Sequence, residues 1–250
     1  MILLTFNIFN TDRVFKNTSA LSGDEMLEIT IQNTKAILRS LESQGILATF
    51  FIEISIIPNM QKLIKKIINE GHEISFYNID SSLETIELHK KNTEDLIGKQ
   101  IRGIRMRLND FDLNDLHHLR FTYITLEEDT TLIFPFKRFE RKAPFTEENG
   151  LSMLHESISP YSQIPYSDFI FQVMPNSFYQ SMVIETIKKD EFVLVYVNSW
   201  QFSDFEKYRF EVPFYKKYNS GQKLHDKLDH FLRWINEEAL AFSRVKDFIF

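Results

Sequence analysis

The chain has 250 residues, enough for one large α/β domain with a sizeable core, and its formal net charge is −6. A net negative charge gives no electrostatic reason to bind nucleic acid. The lack of cysteine excludes disulfides and thiolate metal sites, and the seven glycines form neither a Rossmann nor a P-loop motif. No run approaches the ~18 apolar residues of a membrane span, and residues 1–7 look like a buried strand rather than a signal peptide. We therefore expect a cytoplasmic protein.

Short apolar runs alternate with amphipathic segments along much of the chain. The apolar runs predict strands at 2–6, 46–52, 72–77, 101–105, 121–126, 131–134 and 192–197. Apolar residues at helical spacing predict helices over 27–41, 60–69, 82–97, 178–189 and 224–235. Ser22 and Glu25 form a predicted capping box before the first helix, which Gly45 is predicted to end. This alternation favours a parallel sheet covered by helices, without separating an open sheet from a closed barrel.

A polar, proline-containing stretch follows, and it predicts an irregular excursion at about 137–175 within a single domain of residues 1–250. The basic and aromatic residues of 134–145 favour a solvated loop, with contact to an anionic sugar, a phosphate or a partner protein as the alternative. His155 and Glu156 are an alternative acid and base pair. The other histidines are predicted to be structural or to lie on the surface, so they suggest no metal site.

Polar side chains stand at the carboxyl ends of the predicted strands. They are Asn7, Glu53, Tyr77, Arg105 and Asn198. In parallel α/β barrels the functional site is built at this end, because the loops that follow the strands meet there. The sequence therefore predicts a site formed by these strand ends.

Five short motifs carry a resemblance to a known family. They lie at 4–7 (LTFN), 48–52 (ATFFI), 71–74 (GHEI), 102–105 (RGIR) and 195–200 (VYVNSW). In this order and at these intervals they resemble the polysaccharide deacetylase (NodB homology) family, and 156–160, 164–166 and the Pro175 region resemble its exopolysaccharide-locus subgroup. The resemblance implies an irregular, TIM-like (β/α) barrel and a role in carbohydrate metabolism.

The family removes acetyl groups from sugars by metal-assisted hydrolysis, with one Asp and two His as ligands, an Asp base and a His acid. The resemblance places the acidic motif on residues 7–10 (NIFN), the histidine pair on Tyr77 and Ser81, and the acid on Asn198, whereas the arginine remains as Arg105. Residues 1–11 contain no Asp or Glu, so a shifted alignment restores no carboxylate there. We therefore expect neither zinc nor another metal cofactor, and no catalytic residues at these positions.

Three hypotheses follow from this loss. In the first, the chain is a non-catalytic pseudoenzyme that binds a carbohydrate or a polysaccharide-synthesis protein. Its candidate substrate-binding residues are Asn7, Asn10, Tyr77, Arg105, Asn198 and Trp200. In the second, an active hydrolase cleaves N-acetyl or ester bonds of a sugar with relocated catalytic residues. In the third, the chain is a structural or interaction protein whose own side chains fill the barrel mouth, with Arg105 in an internal ion pair.

Overall fold

The computed structural model describes residues 1–15, 21–107, 110–127 and 143–249. The strand predicted at 131–134 and most of the basic and aromatic stretch 134–145 lie outside these residues.

The strands of the described residues form one sheet in the order β6-β7-β5-β4-β3-β2-β1-β8, with β9 beside β1. Their bounds are β1 Ile2–Ile8, β2 Thr49–Glu53, β3 Glu73–Tyr77, β4 Gly103–Arg107, β5 Tyr123–Glu127, β6 Phe145–Glu148, β7 Leu151–Leu154, β8 Val193–Asn198 and β9 Phe242–Ser243. All neighbouring strands pair in parallel except β6 and β7. Since β6 and β8 do not pair with each other among the described residues, the curled sheet is a half-barrel rather than a closed barrel.

Helices connect the strands and cover the outer face of the sheet. They are α1 Asp12–Phe15, α2 Gly23–Gln44, α3 Gln61–Asn69, α4 Leu83–Ile97, α5 Leu113–His118, α6 Asp168–Val173, α7 Asn176–Asp190, α8 Phe214–Lys217, α9 Gln222–Glu237 and α10 Val245–Ile249, with 3₁₀ helices at Ile54–Asn59 and Ser199–Phe202. The predicted capping box is confirmed, because the Ser22 and Glu25 side chains each accept a hydrogen bond from the other's backbone N–H. Gly45 and Gly98 end α2 and α4 in the left-handed conformation that glycine favours.

The predicted irregular excursion contains a hairpin where it is described. Strands β6 and β7 pair in antiparallel fashion, and β7 also extends the sheet by pairing with β5. Asn149 and Gly150 both have positive φ, as a two-residue type I′ turn requires. The prediction was wrong here because four-residue strands are too short to show an alternating pattern, although the Asn-Gly pair was a usable turn signal.

Alternate residues of the strands point to the inner face, because successive side chains of a strand project to opposite sides. At the amino end of the sheet, Glu73 accepts hydrogen bonds from Thr49 Oγ1 (2.7 Å), Tyr123 Oη (2.8 Å) and the backbone N of Lys246 (3.0 Å). Helix α10 packs at this end as well, with the rings of Phe248 and Phe192 4.6 Å apart. The amino end is therefore held by buried polar and aromatic contacts.

His72 precedes β3 and is buried, and its Nδ1 accepts a hydrogen bond from the backbone N of Ala48 (3.2 Å). Burial lowers the pKa of His72 from its usual 6.5 to about 4. Protonation would also turn the accepting nitrogen into a donor. The neutral imidazole thus stabilises the fold above pH 6.5, and this contribution is lost as the pH falls from 6.5 towards about 4.

We expect an NMR titration of the His72 imidazole to give a pKa well below 6.5, with the free energy of unfolding decreasing over the same pH range. His72→Gln should remove this component of the pH dependence. An imidazole that protonates above pH 6.5 in the folded protein would contradict the buried, accepting geometry.

Candidate functional site

The strand register brings the predicted strand-end residues onto one face at one edge of the sheet. Asn7 lies beside Asn198, Glu53 beside Tyr77, and Tyr77 beside Arg105. On β5 the residue beside Arg105 is Thr125, and Glu127 lies two positions further along the strand, beside Arg107. The carboxyl ends therefore meet as predicted, with Glu127 as a further member.

Two amides occupy the β1 and β8 end of this row. The Nδ2 of Asn7 donates to Oδ1 of Asn198 (2.9 Å), and the Nδ2 of Asn198 donates to Oδ2 of Asp168 (2.6 Å). Gln201 Oε1 accepts from the backbone N of Asn198 (3.0 Å), and its Nε2 donates to the backbone O of Asp168 (3.2 Å). These bonds join β1, β8, α6 and the 3₁₀ helix that follows β8 (Ser199–Phe202) into one network.

Asp168 was not predicted from the sequence, where it appears only as the first residue after an N-capping Ser167. Desolvation by its surroundings raises the pKa of the Asp168 carboxyl above its ordinary value. Its bond to Asn198 spans 30 positions of the chain, so no local spacing indicates it.

Arg105 lies in a buried ion pair with Glu156. Its Nη2 is 2.9 Å from Oε1 of Glu156, and each side chain is only 1% exposed. The guanidinium also lies 4.5 Å from the centre of the Tyr196 ring, at a distance typical of a cation–π contact. Arg105 is thus an interior group rather than a group open to a sugar at the barrel mouth. Glu156, predicted as one member of an alternative acid and base pair with His155, is the acceptor in this ion pair.

Tyr77 is buried between aromatic and acidic neighbours. Its hydroxyl donates to Oε1 of Glu127 (2.9 Å), and its ring lies 5.9 Å from that of Phe9. Burial raises the pKa of Tyr77, and the Glu127 carboxylate raises it further, so the phenol stays neutral. A neutral phenol is a hydrogen-bond donor and a poor metal ligand.

Asn10 and Glu53 belong to an adjacent network centred on Arg13. The backbone N of Asn10 donates to Oε2 of Glu53 (2.9 Å), and Nε of Arg13 donates to Oε1 of Glu53 (2.7 Å). Arg13 also donates to both carboxylate oxygens of Asp80, at 3.1 and 3.2 Å. One arginine, which sequence reasoning did not single out, therefore bridges the carboxylates of Glu53 and Asp80.

Trp200 lies in an aromatic cluster formed with Phe15 and Phe205. Their ring centres are 5.9 and 6.3 Å from that of Trp200, in edge-to-face contact. Only 7% of Trp200 is exposed. Trp200 was predicted to be a substrate-binding residue, but its ring is part of a buried aromatic cluster at this end of the sheet.

The side chains at the expected ligand and acid positions do not fit a catalytic divalent metal. Asn7 and Asn198 engage each other, and Tyr77 engages Glu127. In the described part of the chain, no group of three or more His, Cys, Asp or Glu side chains is arranged to hold a metal ion. Transition metals favour imidazole, thiolate and carboxylate donors, which this set of amides and a phenol does not supply.

Comparison with known proteins gives structural matches alone. No protein-family profile and no curated protein matches the chain.

None of its helices, as far as they are described, has the length and apolar character to span a bilayer.

Three similar solved structures illustrate the likeness. A probable polysaccharide deacetylase from Pseudomonas aeruginosa has a TM-score of 0.63 at 10% identity, over 99% of this chain and 89% of that one. The allantoinase Puue has a TM-score of 0.60 at 10% identity, over 99% and 88%. A CE4 family pseudoenzyme from Bacillus anthracis has a TM-score of 0.53 at 10% identity, over 100% and 65%. The chain therefore has the fold of the polysaccharide deacetylases, an α/β fold built on a curled, mostly parallel half-barrel.

Proposed function

We propose that this chain is a divergent, non-catalytic member of the polysaccharide deacetylase family, which serves carbohydrate metabolism by binding a glycan or a partner protein. A cytoplasmic setting is part of this proposal. The observation that carries it is the bond between Asn7 and Asn198, two strand-end residues that stand where the family resemblance expects a carboxylate and a histidine. Amides supply no general base, and their oxygens are poor ligands for a transition metal.

The family context supports this proposal. One similar structure is a CE4 family pseudoenzyme, so the fold is known in a protein described as without activity. A mutant of that protein is described as having restored enzymatic activity, so loss of activity in that protein was reversible by mutation. A fold alone does not fix a function, so the site residues of this chain carry the assignment.

The buried Arg105–Glu156 pair favours partner binding over sugar binding at the strand ends. With both side chains 1% exposed, the arginine stabilises the interior and offers no charge to a ligand at the mouth. Of the predicted binding residues, Asn10 and Asn198 alone are partly exposed. The carboxyl-end network is thus better suited to holding the fold than to enclosing a sugar, which favours a partner-binding role for this end.

We expect purified full-length protein to contain no stoichiometric zinc, iron, cobalt or nickel by elemental analysis, because the strand ends lack suitable donors. Dialysis against a chelator should leave the melting temperature unchanged. Acetate release from N-acetylated chito-oligosaccharides should equal the no-enzyme blank with each metal added, while an active deacetylase assayed in parallel gives product.

One equivalent of bound metal together with acetate release would revive the relocated hydrolase. Among the strand-end carboxylates, Asp168 bonds to Asn198 at the expected acid position, so such an enzyme is expected to use it. Its activity would therefore fall with Asp168→Asn, whereas trace activity from a contaminant would not respond to this change.

A further inference from the structure

A cleft of about 540 Å³ lies away from the strand ends, between the turn that joins α6 to α7, residues 218–219 and one face of α9. Its lining includes Met174, Asn176, Tyr218, Lys223, Lys227 and His230. Only the carboxyl-terminal end of α6 reaches it, whereas Asp168 at the other end of that helix belongs to the strand-end network. The cleft is therefore a separate feature from the site described above.

The cleft carries an excess of positive charge. Lys223, Lys227 and His230 recur at helical spacing on α9, so their side chains project from one face. Among the ion pairs of the described residues, none involves Lys223 or Lys227. Asp226 is the acidic group in the lining, and its Oδ1 accepts from Gln222 Nε2 (2.9 Å). Two lysines thus face one carboxylate that is already hydrogen-bonded.

Lys227 is held in place by uncharged groups. Its ammonium donates to the backbone O of Met174 and lies 5.4 Å from the ring centre of Phe171 and 6.0 Å from that of Tyr179. A carbonyl and two rings orient the cation without neutralising it. Its orientation is therefore fixed before any ligand arrives, which lowers the entropic cost of binding.

The start of α7 adds to the positive electrostatic potential of the cleft. The helix begins at Asn176, and Pro175 at the N-cap provides no side-chain hydrogen bond to the first turn. Backbone N–H groups at the start of a helix attract negative charge. Because Pro175 and Asn176 line the cleft, this end of the 15-residue helix lies at the same opening as the lysines.

Exposed aromatic rings border the cleft. Tyr218 lines it, and the ring centre of Tyr218 is 6.1 Å from that of Phe214. Phe214 is 79% exposed and Tyr218 47% exposed, although apolar side chains of this size are normally covered. These two neighbouring exposed rings, tilted by 48° to each other, provide an apolar surface beside a polar, cationic cleft.

We propose that this cleft binds an anionic sugar, with its carboxylate or phosphate group on Lys223 and Lys227 and its pyranose ring against Tyr218 and Phe214. The apolar face of a pyranose ring packs on an aromatic ring, and a charged substituent is held by ammonium donors. This binding goes beyond the function proposed above and does not depend on whether the strand ends are catalytic.

Calorimetry with the full chain tests this proposal, using glucuronate, glucose 6-phosphate, glucose and inorganic phosphate as probes. Both anionic sugars should bind, and glucose should bind at least about tenfold more weakly because it lacks the charge. Inorganic phosphate should be weaker than glucose 6-phosphate because it lacks the ring. Equal binding of glucose, equal binding of inorganic phosphate, or no binding of either anionic sugar at millimolar concentration overturns the proposal.

Variants locate the site. Lys223→Ala and Lys227→Met should each weaken glucuronate binding by about tenfold, and Lys227→Met keeps the apolar stem against Phe171. Phe214→Ala should weaken glucose 6-phosphate and leave inorganic phosphate unchanged. The matched control is Lys189→Ala, an exposed lysine at the other end of α7, which should change nothing. Unaltered binding by folded Lys223→Ala and Lys227→Met proteins overturns the proposal.

The pH dependence of glucuronate binding gives a separate readout, since this carboxylate stays ionised from pH 6 upwards. Burial lowers the pKa of Lys227 to about 8, so affinity should fall as the pH rises through that value. The groups around Lys227 are Lys223, Asp226 and His230 from its own helix, the Met174 carbonyl with the Phe171 and Tyr179 rings from α6 and α7, and Tyr218 with Asn219. An affinity that stays constant through pH 9, or rises, overturns the role given to Lys227.

Discussion

Replacing Glu156 with leucine is expected to lower the free energy of unfolding by about 3 to 5 kcal/mol, because it leaves a buried arginine without its counter-charge. Arg105 is 1% exposed, and its Nε and Nη1 already lack hydrogen-bond partners among the described residues. Glu156→Leu would remove the carboxylate that the Nη2 contacts at 2.9 Å. Urea unfolding followed by circular dichroism measures the change.

Two controls separate the buried pair from a general effect of charge. Asp80→Asn breaks an ion pair whose acidic side chain is 64% exposed, so it should cost less than about 1 kcal/mol. The double variant Arg105→Met with Glu156→Leu should recover most of the lost stability, because apolar replacement of a buried pair is often neutral. A Glu156→Leu protein as stable as the parent would mean that the arginine reaches water or another acid, and that the carboxyl end is open.

Gly103→Ala is expected to lower the free energy of unfolding by about 3 kcal/mol or more, at the upper end of the range for overpacked cores. A Cβ atom at residue 103 would lie 1.9 Å from Cζ and 2.3 Å from the hydroxyl oxygen of Tyr123. Tyr123 cannot swing away without loss, because it is fully buried and its hydroxyl bonds to Glu73 (2.8 Å) and Ser75 (2.6 Å). Urea unfolding again measures the effect.

The matched control for this change is Gly23→Ala. Gly23 is the first residue of α2, and a Cβ atom there meets nothing within 4 Å. This variant should be neutral or more stable by up to about 1 kcal/mol, because alanine favours the helix. If both alanine variants unfold alike, the close approach of Tyr123 to β4 is not what requires glycine at residue 103.

The interior of the sheet is filled by side chains at both ends. At the amino end, Tyr123 reaches across β4 to Glu73. At the carboxyl end, Arg105 pairs with Glu156. A catalytic half-barrel has to leave its carboxyl end open to substrate and metal, so the filled end agrees with the proposed loss of catalysis.

Elements with strong local signals were predictable. The helix predicted at 82–97 is observed as α4, Leu83–Ile97, because Ser82 caps it and Gly98 adopts the left-handed conformation that ends it. The strand predicted at 72–77 is observed as β3, Glu73–Tyr77. Each of these signals involves residues within a few positions of one another, so local backbone preference is enough to fix them.

The partners of the strand-end side chains were not predictable. Arg105 was placed correctly on a strand, although it lies in the middle of β4 and not at its end, and its acid is 51 positions away in a stretch predicted to be irregular. Glu127 lies 50 positions from Tyr77. The spacing of apolar residues predicts the face of the sheet on which a side chain lies. Its partner depends on how distant segments of the chain fold over that face.

By itself, the sequence determined the alternation of strands and helices, the capped helix ends, and the kinds of side chain at the carboxyl end of the sheet. Tertiary structure alone decided that Asn7 and Asn198 bond to each other and that Trp200 is part of the core. The physical reason is one of range. Backbone preference and capping act over a few residues, whereas burial and ion pairing act between segments that the sheet brings together from 50 or more positions apart.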